Sequence, residues 1–310
     1  MGLSIVSGGS AYFIPAAYTA VQATGQVVEI ASPSPSGLLF SPTSSPSSPQ
    51  QVGAFTVLLL GSDDDSKFLG DHVLTQSMIL VRVDPAAKAV TMLSIPRDLW
   101  VPLAAGGVNK IDAAYAYGGA ATAVRTVEQN FQIRVDNYVW VGLKGLIQLI
   151  DMVGGVDVVT SNPVMDDFYP NDINSSNPYG TYRVAVLPGA QHLDGVHAMQ
   201  YVRSRHSDLR GDFGRSLRQQ QVLLAIRAKS KNLTPADLPD LATAFKGELK
   251  TDISIDEVRA LLPIASQIQP EAVKQIVLLG SYTSPQTIGG ADALVPNWQQ
   301  IRPLVHQYFP

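Results

Sequence analysis

The 310 residues carry 22 Lys+Arg against 26 Asp+Glu, a net charge of −4, with 45% hydrophobic residues and no cysteine. That is enough apolar material for a sizeable core, in one large domain behind a leader or in two smaller ones. The acidic balance excludes a general nucleic-acid binder, which rests on broad phosphate neutralisation. The missing thiols exclude disulfides, zinc–thiolate sites and cysteine nucleophiles, and they fit an exported bacterial protein.

In chain order, residues 1–30 form an apolar leader whose first charge is Glu29. Its stretch "LSIVSGGSAYFIPAAYTAVQA" is about long enough to span a bilayer. Gly8, Gly9 and Pro15 weaken it as a helix, and no Lys or Arg precedes it to supply a positive cytoplasmic flank. A shortened membrane anchor is the favoured reading; a poor signal sequence and a disordered leader are the others. Residues 31–52 are Ser/Pro-rich, cannot form a core, and read as an extended spacer. The globular domain is then 53–310.

Within it, Phe55–Leu60, Ser77–Asp84 and Ala89–Ile95 read as strands, the last two joined by the turn "DPAAK". A helix is expected over Ala113–Asn130, a strand in "DNYVWVG", and a helix in "LKGLIQLIDMVGG" that stops at Gly154–Gly155. "VDVVT" reads as a strand, "NPVMDDFYPNDINSSNPYG" as a long polar loop, "YRVAVLPG" as a strand and turn, and "LDGVHAMQYVRSR" as a helix. Asp212 is placed as the N-cap of a long helix from Phe213 to about Lys229. Two more helices are expected near Thr234 and Ser254, and a last strand in "KQIVLLG". Strands interleaved with helices indicate a layered α/β domain; consecutive strands without helices between them make its sheet mixed.

Three stretches carry candidate chemistry. In "YVRSRHSDLRGDFGRSLRQQQ" five arginines crowd together: Arg203, Arg205, Arg210, Arg215 and Arg218. Arg215 and Arg218 are spaced to share a helical face, with Gln219 beside them, and Arg215 falls in a first turn that already favours an anion. Arginine forks bind phosphate oxygens bidentately, so a small polyanion such as a diphosphate suits them. The bland alternative is surface ion pairing with Asp194, Asp208 and Asp212. "GSDDDSKFLGDHV" sets acids at a strand's carboxyl edge, where α/β folds bind ligands. Asp63 there suits Mg²⁺, with Asp64, Asp65 and Asp71 as weaker candidates. In "SIPRDLW", Arg97 and Asp98 follow a strand end as phosphate ligand and orienter or base, or as a local salt bridge. His197 and His206 are given no catalytic role.

Taken together, "LLLGSD", "MLSIPRDLWV", "KIDAAYAYGG", "VEQNF", "LIDMVGGVDV", "PGAQHLDGVHAMQYVRSRH" and "GDFGRSLRQQQVL" resemble the LytR-CpsA-Psr family, in its order, from about Val57 to Ile226. The resemblance implies an extracytoplasmic α/β/α enzyme, tethered to the bacterial cell membrane by an N-terminal segment. It implies a phosphotransferase that moves a glycan polymer with one phosphate from a polyprenyl-pyrophosphate carrier to a peptidoglycan sugar hydroxyl. Teichoic-acid-like or capsular glycan would be its cargo and Mg²⁺ its cofactor. By position it makes Asp63 a metal carboxylate. It sets Arg97 with Asp98 at the reacting centre and Arg203, Arg205, Arg215 and Gln219 on the pyrophosphate. Asp98 and Asp212 are the open choices for general base. Val222, Leu223 and Ile226 face either an apolar groove for the prenyl chain or ordinary core. Two departures stand out. Leu74 and Gln76 occupy positions where the family carries Arg and Asp, and Asp65 stands where it often has Arg. Gln76 offers a metal only a neutral oxygen, which leaves Asp65 or Asp71 to compensate. A non-catalytic binder of polyprenyl-linked glycan and a pyrophosphatase are the alternative functions.

Overall fold

The computed structural model describes residues 29–30, 53–62, 73–171, 179–204, 210–230, 245, 247–253, 257 and 267–310. The strands are β1 (Glu29–Ile30), β2 (Phe55–Ser62), β3 (Thr75–Asp84), β4 (Ala89–Ile95), β5 (Trp100–Pro102) and β6 (Val108–Lys110). Then come α1 (Ala113–Phe131), β7 (Asn137–Val141), α2 (Leu143–Met152), β8 (Val156–Thr160), β9 (Val164–Pro170), β10 (Thr181–Val186) and β11 (Gly189–Leu193). They are followed by α3 (Gly195–Arg203), α4 (Gly211–Ser230), β12 (Leu249–Thr251), β13 (Val273–Val277), β14 (Thr283–Ile288), β15 (Ala291–Pro296) and α5 (Trp298–Tyr308).

A seven-stranded sheet in the order β1-β12-β7-β2-β3-β4-β13 forms the middle layer. β2, β3 and β4 are antiparallel neighbours, as the tight turn at 85–88 requires of β3 and β4, while β2 runs parallel to β7 and β4 to β13. The expected mixed sheet is therefore present. Because side chains alternate along a strand, both faces of β2 and β3 are apolar. Phe55, Val57, Ile79 and Val81 turn to one core, which α2, α3 and α4 cover. Leu58, Leu60, Met78 and Leu80 turn to the other, which α1 and α5 cover. That is the three-layer arrangement.

Several elements depart from expectation. The stretch read as a long polar loop contains β9, paired with β10. Its buried face is Val164, Asp166 and Tyr169, and a buried acid hides the alternation; the Asp166 carboxylate accepts from the Phe168 N–H at 3.0 Å. Asp212 is not an N-cap: the helix opens at Gly211, φ +52°, so Asp212 falls inside the first turn and meets Arg215 instead. α1 is kinked at Gly118 and Gly119, the latter at φ +63°. The helices expected near Thr234 and Ser254, the leader up to residue 28 and the spacer 31–52 lie outside the described residues.

Candidate functional site

Between the sheet and helices α2, α3 and α4 lies a pocket of about 1080 Å³, its open mouth included. Leu59, Ile79, Val139 and Val141 line it from the strands; Leu146, Leu149, Met199, Val202, Val222, Leu223 and Ile226 line it from the helices. Val222, Leu223 and Ile226, expected in either groove or core, thus serve both: Val222 and Ile226 belong to the core cluster, the half-buried Leu223 packs against it, and all three wall the pocket. Space beside apolar walls forfeits dispersion contacts, which an apolar occupant restores. Among this lining stand four polar residues, Gln76, Ser77, Arg203 and Gln219. Apolar walls with a few convergent polar groups are the usual make-up of a ligand site.

The sequence puts those polar groups there for local reasons. β2 and β3 pair in step as far as Gly61↔Ser77; the next pair is Ser62↔Thr75, so Gln76 is an extra residue in a β-bulge. Bulges re-aim side chains and recur beside active sites. The Ser77 hydroxyl donates to Gln219 Oε1 at 3.1 Å, tying β3 to α4. Arg203 ends α3, with its guanidinium 5.5 Å from the ring centroid of Tyr169 on β9.

The arginine cluster does not converge as a whole. Arg203 and Gln219 reach the pocket, and Arg215, one helical turn before Gln219, is buried and paired with Asp212 at 3.0 Å. Arg218 turns away, despite its spacing from Arg215. Its Nε donates to the Tyr201 carbonyl and a terminal nitrogen donates to the Ser204 carbonyl, each at 2.6 Å, so it closes the end of α3. Burial pushes its pKa down to about 10, which leaves it charged at neutral pH. Arg210 lines a separate crevice with Arg218 and Gln221. Asp194 caps α3 by accepting from the His197 N–H at 2.8 Å, and among the described residues its ionic partner is His197, not an arginine. Arg205, Asp63, Asp64, Asp65, Asp71, His206 and Asp208 lie outside the described residues.

Arg97 and Asp98 sit in a second hollow, an open cleft of about 960 Å³ with the solvent space at its mouth included, shared with Leu74, Asn109, Lys110, Asp112 and Tyr117. Both Asp98 oxygens are engaged: Oδ2 by Arg97 Nε at 3.3 Å and Oδ1 by Lys110 Nζ at 2.7 Å. Lys110 and Asp112 were not singled out in the sequence. Their signal is the "KIDAAY" stretch, which sets a cation and an anion at the entrance to α1. The chain from Lys110 to Asp112 runs beside Arg97–Leu99: Ile111 N–H donates to the Leu99 carbonyl and Asp112 N–H to that of Arg97. Burial is the main force raising Asp112 to about 6; Arg97 and Lys110 pull against it, and Asp98 adds to it. Leu74 lines this cleft and Gln76 the pocket, so the start of β3 borders both hollows.

The model of the LytR_cpsA_psr family matches residues 17–306. The polyisoprenyl-teichoic acid–peptidoglycan teichoic acid transferase TagV of Bacillus subtilis is 34% identical over 261 residues, covering 82% of this chain and 64% of TagV. The crystal structure of B. subtilis TagV shares the fold with a TM-score of 0.65 at 30% identity, over 83% of this chain and 97% of that one. TagT bound to LIIa-WTA gives 0.64 at 28% identity, over 83% of this chain and 89% of that one. The chain spans 54% to 64% of the length of such curated relatives. The match over most of the chain and the shared fold lead to one conclusion: the chain belongs to the LytR-CpsA-Psr family.

Proposed function

We propose that this chain transfers a glycan polymer, teichoic-acid-like or capsular, with one phosphate, from a polyprenyl-pyrophosphate carrier to a peptidoglycan sugar hydroxyl. The observation that carries the reading is the apolar pocket with Arg203 and Gln219 among its lining. A prenyl tail matches the walls, and a pyrophosphate at the mouth meets donors. Family membership and the activity named for TagV support the same reading, as does a TagT structure holding LIIa-WTA. In this scheme Arg97, Arg203, Arg205 and Arg215 neutralise the pyrophosphate and the charge that builds on its bridging oxygen, and Gln219 orients it. The leader tethers the domain to the extracytoplasmic face of the cell membrane. Among the described residues no helix is long and apolar enough to cross a membrane, and the leader up to residue 28 is not among them.

Mg²⁺ is part of the proposal through Asp63, with Asp65 or Asp71 beside it. Among the described residues no group of three or more His, Asp or Glu gathers to hold a metal. Gln76 supplies an oxygen, the donor type a hard cation takes, but no charge. When bound, the ion would neutralise phosphate charge. Asp63→Ala is expected to abolish Mg²⁺-dependent turnover; turnover that responds to Mg²⁺ as before would remove Asp63 from the metal site. The neutral Gln76 also favours a second reading, a binder that holds the lipid-linked glycan without transferring it.

The experiment is to incubate labelled polyprenyl-pyrophosphoryl glycan with the protein and a peptidoglycan oligomer, with and without Mg²⁺. Label moving to the oligomer with release of polyprenyl phosphate is the expected result. Release without movement of label would make the protein a pyrophosphatase, and binding without release would make it a carrier.

A further inference from the structure

The transfer needs a group to take the acceptor's proton, and the two sequence candidates are already committed. Asp98 is held by Arg97 and Lys110 through both oxygens, and Asp212 is held by Arg215. Asp112 is placed differently. It occupies the N-cap position of α1, where a carboxylate normally turns back to accept an N–H deeper in the first turn, yet it makes no such capping bond and leans only on the adjacent Ala113 N–H. The residue is buried, at 5% exposure, and lines the cleft beside Arg97. Among the described residues its carboxylate has no ion pair. Its backbone is fixed on both sides: the N–H donates to the Arg97 carbonyl, and its own carbonyl accepts from the Thr75 N–H and hydroxyl.

We propose that Asp112 is the general base of the transfer, taking the proton of the acceptor hydroxyl in the cleft while the donor's prenyl chain lies in the adjoining apolar pocket. The proposal rests on the transferase reading above. The acceptor O–H gives its proton to the Asp112 carboxylate as its oxygen forms a bond to the glycan-bearing phosphorus. The bond from that phosphorus to the bridging oxygen breaks, and its electron pair leaves with polyprenyl phosphate. Asp112 then returns the proton to solvent. The groups facing Asp112 are the cations Arg97 and Lys110, the Asp98 carboxylate and the Tyr117 phenol. Burial raises Asp112 to about 6, close to the operating pH, where a base is both ionised and willing to accept.

The test follows label transfer by the full chain as a function of pH, for the wild type, Asp112→Asn and Asp112→Ala. The base is active when ionised, so wild-type kcat/KM is expected to fall as pH drops through about 6. Asp112→Asn is expected to lower kcat by about 100-fold or more and to lose that acidic limb, with donor Kd nearly unchanged. Formate is expected to restore part of the rate to Asp112→Ala. If the wild type transfers and Asp112→Asn transfers as fast, the base assignment falls and the transferase reading stands. A wild type that never moves label to the oligomer overturns both. Should Asp112→Asn also lose donor binding, the other two measurements decide: no formate rescue together with a flat wild-type profile overturns the proposal.

Discussion

Arg218 is held against the Tyr201 and Ser204 carbonyls in a buried site. Removing it leaves both carbonyls at the end of α3 without that donor. Arg218→Ala is therefore expected to cost about 2–4 kcal/mol in urea unfolding. Arg203 reaches the pocket and touches Tyr169, so Arg203→Ala is expected to change stability by less than about 1 kcal/mol while sharply weakening donor binding. Equal destabilisation by the two changes would contradict this division of roles. The sequence showed a local excess of arginine and the helical spacing of Arg215 and Arg218, but not what each would face. α4 is walled on two sides: Gln219 and Val222 look into the apolar pocket, and Leu217, Arg218 and Gln221 into another crevice. Periodicity gives angles around a helix, and only tertiary packing assigns neighbours to them. Asp112 was missed for the same reason. Its meaning comes from Arg97 and Lys110, which β4, β6 and the turn after β4 bring beside it.

At the scale of elements, strands with two apolar faces were readable, because every residue of β2 and β4 must satisfy a core on one side or the other. Strands whose alternation is broken by polar or exposed residues were not. β9 conceals a buried Asp166, and β14–β15 is announced mainly by the Gly289–Gly290 turn, both at positive φ as a tight hairpin requires. Helix contacts were equally hidden. Gly195 opens α3 against α2, and a Cβ there would stand 2.2 Å from the Ile147 carbonyl oxygen. Gly195→Ala must push the two helices apart, at an expected cost of about 1–3 kcal/mol. Since α3 carries Arg203 to the pocket, donor binding should weaken with it. An unchanged unfolding midpoint would show that α2 and α3 are not locked at this contact.

For the whole molecule, the three layers explain why the site lies where it does. The sheet separates two cores, and the one beneath α2, α3 and α4 contains the pocket, with Gln76 brought to it by the bulge between β2 and β3. The cleft beside Arg97 adjoins it at the start of β3. Donor chain in one hollow and acceptor in the other is the arrangement that transfer requires, and water exclusion at their junction separates transfer from hydrolysis. The central claim is that the pocket holds the prenyl chain. Its most direct test is the affinity of the full chain for prenyl pyrophosphates of increasing length, measured by calorimetry. The account predicts that each added isoprene tightens binding by about tenfold or more until the pocket is full, and that Val222→Trp flattens the series. Affinity independent of chain length, with Val222→Trp unchanged from wild type, would contradict it.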